Sequence, residues 1–211
     1  MIGHFYFYMR IIYFDTETTG LSPMMNLFTG YEGQICQLAY TVCDGEDVKA
    51  KNFFFKVNYV EPSASQVTGL TTEILDVLSE GKVFGDYADE IHRDFACADY
   101  IVAHNISFDK KFMEAEFSRL NMTFDYKNCI CSMRSTVDYL KLPGKRANMY
   151  KLPSLQELGA FFGISDSEVI ETAKRLYNSS SVAHDARFDT VKLMLAVEVA
   201  KKECPSLLEL N

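Results

Sequence analysis

Asp15 and Glu17 stand two residues apart in the string Phe14–Leu21 (F-D-T-E-T-T-G-L), directly after an apolar run. Strand alternation sends both side chains to one face, where two carboxylates repel unless they are protonated or bridged by a cation. Such oxygen ligands suit Mg2+ or Mn2+. The bland alternative is a D-x-E on a solvated strand tip. Against it, Ile11-Ile12-Tyr13-Phe14 places the acids at the tip of a buried strand, where uncompensated charge is costly. Two further strings add to the pair: His104–Asp109 (H-N-I-S-F-D) and His184–Asp189 (H-D-A-R-F-D). Together they include four acids (Asp15, Glu17, Asp109 and Asp189) and a histidine (His184), the set that two-metal phosphodiester cleavage needs. Taken singly, Asp109 reads better as an acid favoured by a helix macrodipole, and His104 and Asn105 read equally well as capping groups. A lone histidine is usually structural. One lying five residues ahead of an aspartate, with D-x-E and a third acid upstream, is less easily dismissed.

Bringing these groups together requires a central strand and helices that carry Asp109 and Asp189 to its tip. Met9–Asp15 is apolar enough for a strand covered on both faces. Runs at Ile35–Val42 and Asn52–Val57, separated by the turn-like Asp44-Gly45, have links short enough for antiparallel pairing. Helices are expected near Thr72–Leu78 and Tyr87–Ala96. A strand at Tyr100–Ala103 then precedes a helix with Phe108, Phe112, Ala115 and Arg119 along one side. Cys129–Met133 reads as a short strand, and Ser154–Glu157 as a capping box opening a helix that ends at Gly163. The last helix is expected from Asp185 to Lys202, with Phe188, Val191, Leu195 and Val199 as its apolar stripe. Asn178 and the serines after it read as a mobile segment that lets His184 approach only when substrate is bound. The order of elements implies one α/β domain over residues 1–211, core about 9–202, with a mixed sheet flanked by helices.

With 48% hydrophobic and 24% charged residues, the composition is that of a soluble globular protein. No run approaches the roughly 20 apolar residues that span a bilayer, and the aromatic N-terminus has no export-signal pattern, so a cytoplasmic location is expected. Met9 is a candidate natural start, with Met1–Tyr8 an extension. The six cysteines are scattered along apolar segments without zinc-ligand spacing and are expected to be free buried thiols. A net charge of −8 argues against broad attraction to a polyanion and leaves any such attraction local.

On these strings the chain resembles the DnaQ-like 3′→5′ exonucleases of the DEDDh type, in the ribonuclease H-like superfamily. F-D-T-E-T-T-G-L, A-H-N-I-S-F-D and A-H-D-A-R-F-D match its three motifs, and Val67–Thr71 (V-T-G-L-T) and Leu152–Ile164 match secondary features. The resemblance runs from about Met9 to Lys201. It implies a ribonuclease H-like sheet, with antiparallel strands first and parallel strands after. It also implies that Asp15 bridges two divalent cations, Mg2+ or Mn2+. Glu17 and Asp189 would hold the ion that binds the attacking water, and Asp109 would help hold the second through water. His184 would be the general base. Leu21 and Phe108 would pack against the terminal nucleotide, Thr16 and Thr18 would contact it through backbone groups, and His104 and Asn105 complete the substrate-binding set. The implied substrate is a frayed or single-stranded 3′ end, and the product a nucleoside 5′-monophosphate.

The chain departs from the family pattern at Thr68, where a histidine is frequent, and at Gln37, where a glutamate is. Altered end-binding with intact chemistry is the expectation. D-T-E-T-T-G-L, rather than the D-x-E-M-T-G-L of oligoribonucleases, leans towards the DNA-proofreading branch. An RNA-directed exonuclease and a non-catalytic module binding nucleic-acid ends or a polymerase are the alternatives; no string supports a polymerase partner. Lys141–Lys151 has four cations and no acid, and reads either as a solvated loop or as a contact for backbone phosphates, with Tyr150 stacking on a base.

Overall fold

A computed structural model of the protein describes residues 9–27, 30–146, 149–179 and 185–203. Its central strand, β1 (Arg10–Thr18), buries Ile11 to Phe14 completely or nearly so. A small hairpin follows, β2 (Met25–Asn26) with β3 (Tyr31–Glu32), and then β4 (Ile35–Asp44) and β5 (Asp47–Phe54). β6 (Tyr100–Ala103) and β7 (Cys129–Cys131) complete a five-stranded sheet of order β5-β4-β1-β6-β7. β1, β4 and β5 pair antiparallel, while β6 and β7 run parallel to β1. This is the mixed ribonuclease H-like architecture expected from the sequence.

Strand boundaries differ from expectation, most at the end of β1 and the start of β5, and β7 stops at Cys131 because Ser132 and Met133 enter a helix. β1 runs through Thr18 because β4 is long enough to pair with it from Arg10↔Asp44 to Thr18↔Ile35. Asp15 and Glu17 therefore lie inside the ladder and not past its end. β5 begins at Asp47, since Gly45 takes a positive φ of 63° and closes a tight hairpin at Asp44↔Asp47. The polar stretch Asp47–Lys51 conceals that start.

The helices are α1 (Pro62–Thr68), α2 (Thr72–Leu78), α3 (Ala88–Cys97), α4 (Ile106–Arg119), α5 (Ser132–Ser135), α6 (Val137–Leu140), α7 (Leu155–Phe161), α8 (Asp166–Tyr177) and α9 (Ala186–Glu203). The capping box at α7 forms as expected: Ser154 Oγ accepts from Glu157 N at 3.2 Å, and Glu157 Oε2 accepts from Ser154 N at 2.9 Å.

Alternation divides β1 between two layers. Ile12 and Phe14 join Leu38, Tyr40, Phe95, Phe112 and Phe117 under α3 and α4. Ile11 and Tyr13 face the other way and meet Leu193, Met194 and Val197 of α9. α9 is also buried on its far side, where Phe188, Val191, Ala196 and Ala200 meet α7 and α8. The expected single stripe is thus replaced by a helix buried on two sides, with Leu195 and Val199 only partly covered. α4 differs as well. Of its four expected stripe residues only Phe112 is fully buried, and the core face is Ile106, Asp109, Phe112, Met113, Glu116 and Phe117.

Cys36 and Cys43 are buried free thiols, but Cys97 and Cys129 are exposed and Cys131 is intermediate, so burial is not general. Cys97 ends α3 and Cys129 sits on the edge strand β7, where solvent reaches them. Met1–Tyr8 and Cys204 lie outside the described residues. Among the described residues no helix is long and apolar enough to cross a membrane.

Candidate active site

The site forms where β1 outlasts its parallel neighbour. β6 pairs with β1 only from Ile11↔Tyr100 to Tyr13↔Val102. Beyond that point the edge of β1 has lost its strand partner, and its backbone donors need another. The chain turns at Asn105, which takes a left-handed φ of 70°, into α4, whose first turn carries Asp109. Asp109 Oδ1 accepts from Thr16 N at 3.1 Å and from Thr16 Oγ1 at 2.8 Å. A buried carboxylate thus continues the hydrogen bonding that β6 abandons.

On the opposite face, Asp15 and Glu17 point towards α9. Asp15, Glu17 and Asp189 each place one carboxylate oxygen within 4.8 Å of the others, an arrangement able to hold a metal ion. Asp109 stands outside that group. On the β4 side the register shifts between Glu17 and Thr18, which inserts Cys36 as a bulge and tilts the end of β1.

The crowding shows in the electrostatics. Burial, followed by Asp109, Asp189, Glu17 and Asp185, pushes the Asp15 carboxyl well above its ordinary range. Burial, then Asp189 and its acidic neighbours, raises Glu17 to about 8. Asp109 rises to about 7 through burial, with the Thr16 bonds pulling the other way. Acids that resist ionisation because they are buried, and in the case of Asp15 and Glu17 also face other acids, are a donor set suited to a hard divalent cation, whose charge would favour their ionised forms.

Asp185 adds to this crowding, but its own oxygens are answered by protein donors. As the residue before α9 it accepts from Arg187 N at 2.9 Å, and its backbone oxygen accepts from Phe188 N at 2.8 Å and Asp189 N at 3.1 Å. Its two carboxylate oxygens are gripped by the Arg187 guanidinium, and Oδ1 also accepts from Gln37 Nε2 at 3.0 Å. An acid so fully answered by protein donors has little left for a metal.

A cleft of about 320 Å3 opens beside Glu17, between Thr16–Leu21 on one side, Phe108 on another, and Ser63, Ala64, Val67 and Thr68 of α1 on the third. Its lining is largely apolar, with Leu21 77% exposed. The turn closing it is tightly tied: Thr19 N donates to Gln34 O, Thr18 Oγ1 to Gly20 O, and Lys111 Nζ to Leu21 O. Glu61 packs closely against Gly20, where a Cβ would lie 2.7 Å from Glu61 Cδ.

Several sequence-level expectations change here. Both polar groups of Thr16 serve Asp109, so Thr16 orders an acid and leaves no N–H or hydroxyl for a nucleotide. His104 turns inward, with Nδ1 against Ser132 Oγ at 2.9 Å and Nε2 against Pro153 O at 3.0 Å, and burial lowers its pKa. Its ring ties β6 to α5 and to the segment before α7, which leaves neither nitrogen for substrate. Thr18, Leu21 and Phe108 do line the cleft. Asn105 supplies the turn into α4. His184 lies outside the described residues. Ser63, Ala64 and Val67 were not legible as cleft residues, because their place depends on how α1 packs. Gln37 and Asp185 were legible only as a departure and a helix start.

Residues 12–168 match the RNase_T family, described as "Exonuclease". Among curated relatives, DNA polymerase III subunit epsilon of Salmonella typhimurium (strain LT2) is 29% identical over 154 residues, covering 71% of this chain and 61% of that protein. The same subunit from Pasteurella multocida (strain Pm70) is 32% identical over 147 residues, 66% of this chain and 54% of that protein. DNA polymerase III PolC-type of Mycoplasmopsis pulmonis (strain UAB CTIP) is 29% identical over 115 residues, 54% of this chain but 7% of that protein. The chain thus spans about three-fifths or less of these relatives.

Proposed function

This chain belongs to the exonuclease family, and on that premise we propose that it is a metal-dependent 3′→5′ exonuclease that releases nucleoside 5′-monophosphates from single-stranded or frayed DNA ends. The observation that carries the reading is the meeting of Asp15, Glu17 and Asp189, with Glu17 also lining an apolar cleft. Two divalent cations, Mg2+ or Mn2+, held by these acids with Asp109 nearby, would supply activation of water and neutralisation of the charge that develops on the phosphoryl group.

The chain's own groups do the rest. Leu21 and Phe108 offer faces for the sugar or base of the terminal nucleotide, and the narrow cleft takes one unstacked residue more readily than a paired end. Asp109 holds the end of β1, and so fixes the spacing of Asp15 and Glu17. His184, one residue before Asp185, would take the proton of the attacking water. DNA as substrate is supported by the polymerase III epsilon relatives, none of which supplies a polymerase contact for this chain.

The test uses 5′-labelled single-stranded DNA and RNA of one sequence with Mg2+, Mn2+ or chelator, beside Asp189→Ala. The expected result is a metal-dependent ladder shortening from the 3′ end, stronger on DNA and absent with chelator or the variant. Intact DNA and RNA in every lane, with folded protein and bound Mn2+, would replace the reading with a non-catalytic end-binding module.

A further inference from the structure

Gln37 is 1% exposed and lies on β4 directly across from Glu17 of β1, with Phe54 of β5 as its partner on the other side. Its side chain crosses from the sheet to the start of α9. Nε2 donates to Asp185 Oδ1 at 3.0 Å and to Asn52 Oδ1 at 2.8 Å, while Oε1 accepts from Ala186 N at 3.4 Å. The orientation of the amide is forced, because an ionised Asp185 can only accept and the NH2 end must face it. Arg187 completes the arrangement: it grips Asp185, donates to Ser179 Oγ at 2.6 Å, and lies over the Phe54 ring at 5.8 Å.

These contacts fix one end of α9 against one row of the sheet. Asp185 caps the helix, and the N–H of Asp189 bonds back to Asp185 O. Gln37 and Asp185 thus form a hydrogen-bonded path from the row of Glu17 to the turn that carries Asp189, beside the packing of α9 on β1. We propose that Gln37 is a positioning residue for the metal site: by clamping the Asp185 cap it holds Asp189 at cation-sharing distance from Asp15 and Glu17. The amide is suited to this because it presents a donor to Asp185 and an acceptor to Ala186 at once, which a carboxylate would not do without repelling Asp185. Groups that orient metal ligands in this way typically change metal affinity or turnover by about 10–100-fold when removed.

The kinetic arm of the test rests on the exonuclease reading; the Mn2+ arm does not. Gln37→Met keeps volume and loses both polar ends. Asp185→Ser keeps a capping oxygen for Arg187 N but is too short to reach Gln37. Each variant and their combination is compared with the full wild-type chain by circular dichroism, Mn2+ titration read by electron paramagnetic resonance, and turnover of a single-stranded DNA oligonucleotide. The expected result is folded protein, Mn2+ half-saturation and kcat each worsened about tenfold in either single variant, and KM changed by less than about twofold. The double variant should be no worse than the poorer single one, because both break the same link. Multiplicative losses in the double variant, or wild-type Mn2+ binding in Gln37→Met with only a lower Tm, would reduce Gln37 to a packing residue. If the wild type binds Mn2+ yet degrades no DNA or RNA, the exonuclease reading falls and the Mn2+ arm still decides the role of Gln37.

Discussion

Two groups of acids lie on opposite faces of the same sheet, and they differ in what answers them. Under α3, Asp94 accepts from Tyr40 Oη at 2.8 Å and from Lys51 Nζ at 2.6 Å, and Lys51 also meets Glu90 at 2.7 Å. Arg10 adds a more distant contact to Asp94 at 3.7 Å. Under α9, Asp15 and Glu17 make no ion pair among the described residues, and their nearest charged neighbours are other acids. The first group is balanced within the chain and stabilises it. The second has no counter-charge among the described residues, and on the proposed reading a metal ion would supply it. The difference separates acids answered within the fold from acids left to face one another, and Asp185, held by Arg187, belongs with the first.

Substitution should break the contrast most clearly. Asp189→Ala is expected to lower kcat by about 10³-fold or more, since it removes a ligand worth several kcal/mol in the transition state. Glu17→Gln should leave the chelated protein as stable as the wild type or more so, because one source of repulsion is gone. Asp94→Ala should do the reverse, with kcat within about twofold and a stability loss of about 2 kcal/mol from the charged hydrogen bonds it forfeits. Urea denaturation beside steady-state kinetics on the three variants checks the contrast; a stability loss in Glu17→Gln equal to that in Asp94→Ala would erase the distinction.

Next in size is the response to pH. Glu17 and Asp109 have folded-state pKa values raised to about 8 and about 7. A carboxyl raised on folding contributes stability that is fully present below its unfolded value and is lost as pH rises through its folded one. The chelated protein should accordingly lose Tm steadily between pH 5 and 8 (roughly the interval between the ordinary and raised values). Saturating Mn2+ should flatten that slope, because the ion stabilises the ionised forms. A Tm that rises over this interval without metal would contradict the crowding argument.

Smaller effects sharpen the comparison. Thr16→Val removes the hydroxyl from Asp109 but keeps the backbone N–H bond, so a stability loss of about 1 kcal/mol is expected, with a several-fold fall in kcat. Thermal melts and single-turnover assays would show both. Leu21→Ala should leave Tm unchanged, as the side chain is 77% exposed. The loss of one apolar contact to the nucleotide should raise KM by about tenfold or less with kcat preserved. A loss of kcat alone would place Leu21 outside the substrate path.

Much of this was legible because local chemistry and global position agreed. The apolar run ahead of Asp15, the helix start before Asp189 and the Ser154 capping box each signal themselves within a few residues. α2 and β6 have the expected bounds for the same reason. What stayed hidden depends on distant partners. α8 carries its own signal, with Ser165 Oγ accepting from Glu168 N, but its role is to cover a face of α9 that a single-stripe reading leaves bare. His104 looks like a site residue by sequence because it adjoins Asn105 and Asp109. Only the packing of α5 and Pro153 against β6 shows both its nitrogens engaged. The value of Gln37 depends on a residue 148 positions away.

The docking of α9 has a consequence for when the site can exist. Asp15 and Asp189 come from opposite ends of the described chain, and contacts of such sequence separation form late because the intervening loop must first be closed. A chain with β1, β4 and β5 zipped together but α9 undocked would hold Asp15 and Glu17 without Asp189. Such an intermediate lacks the carboxylate cluster. On the proposed function, competence to cut would then arrive only with the completed fold, so nascent and misfolded molecules would be harmless to the nucleic acid around them.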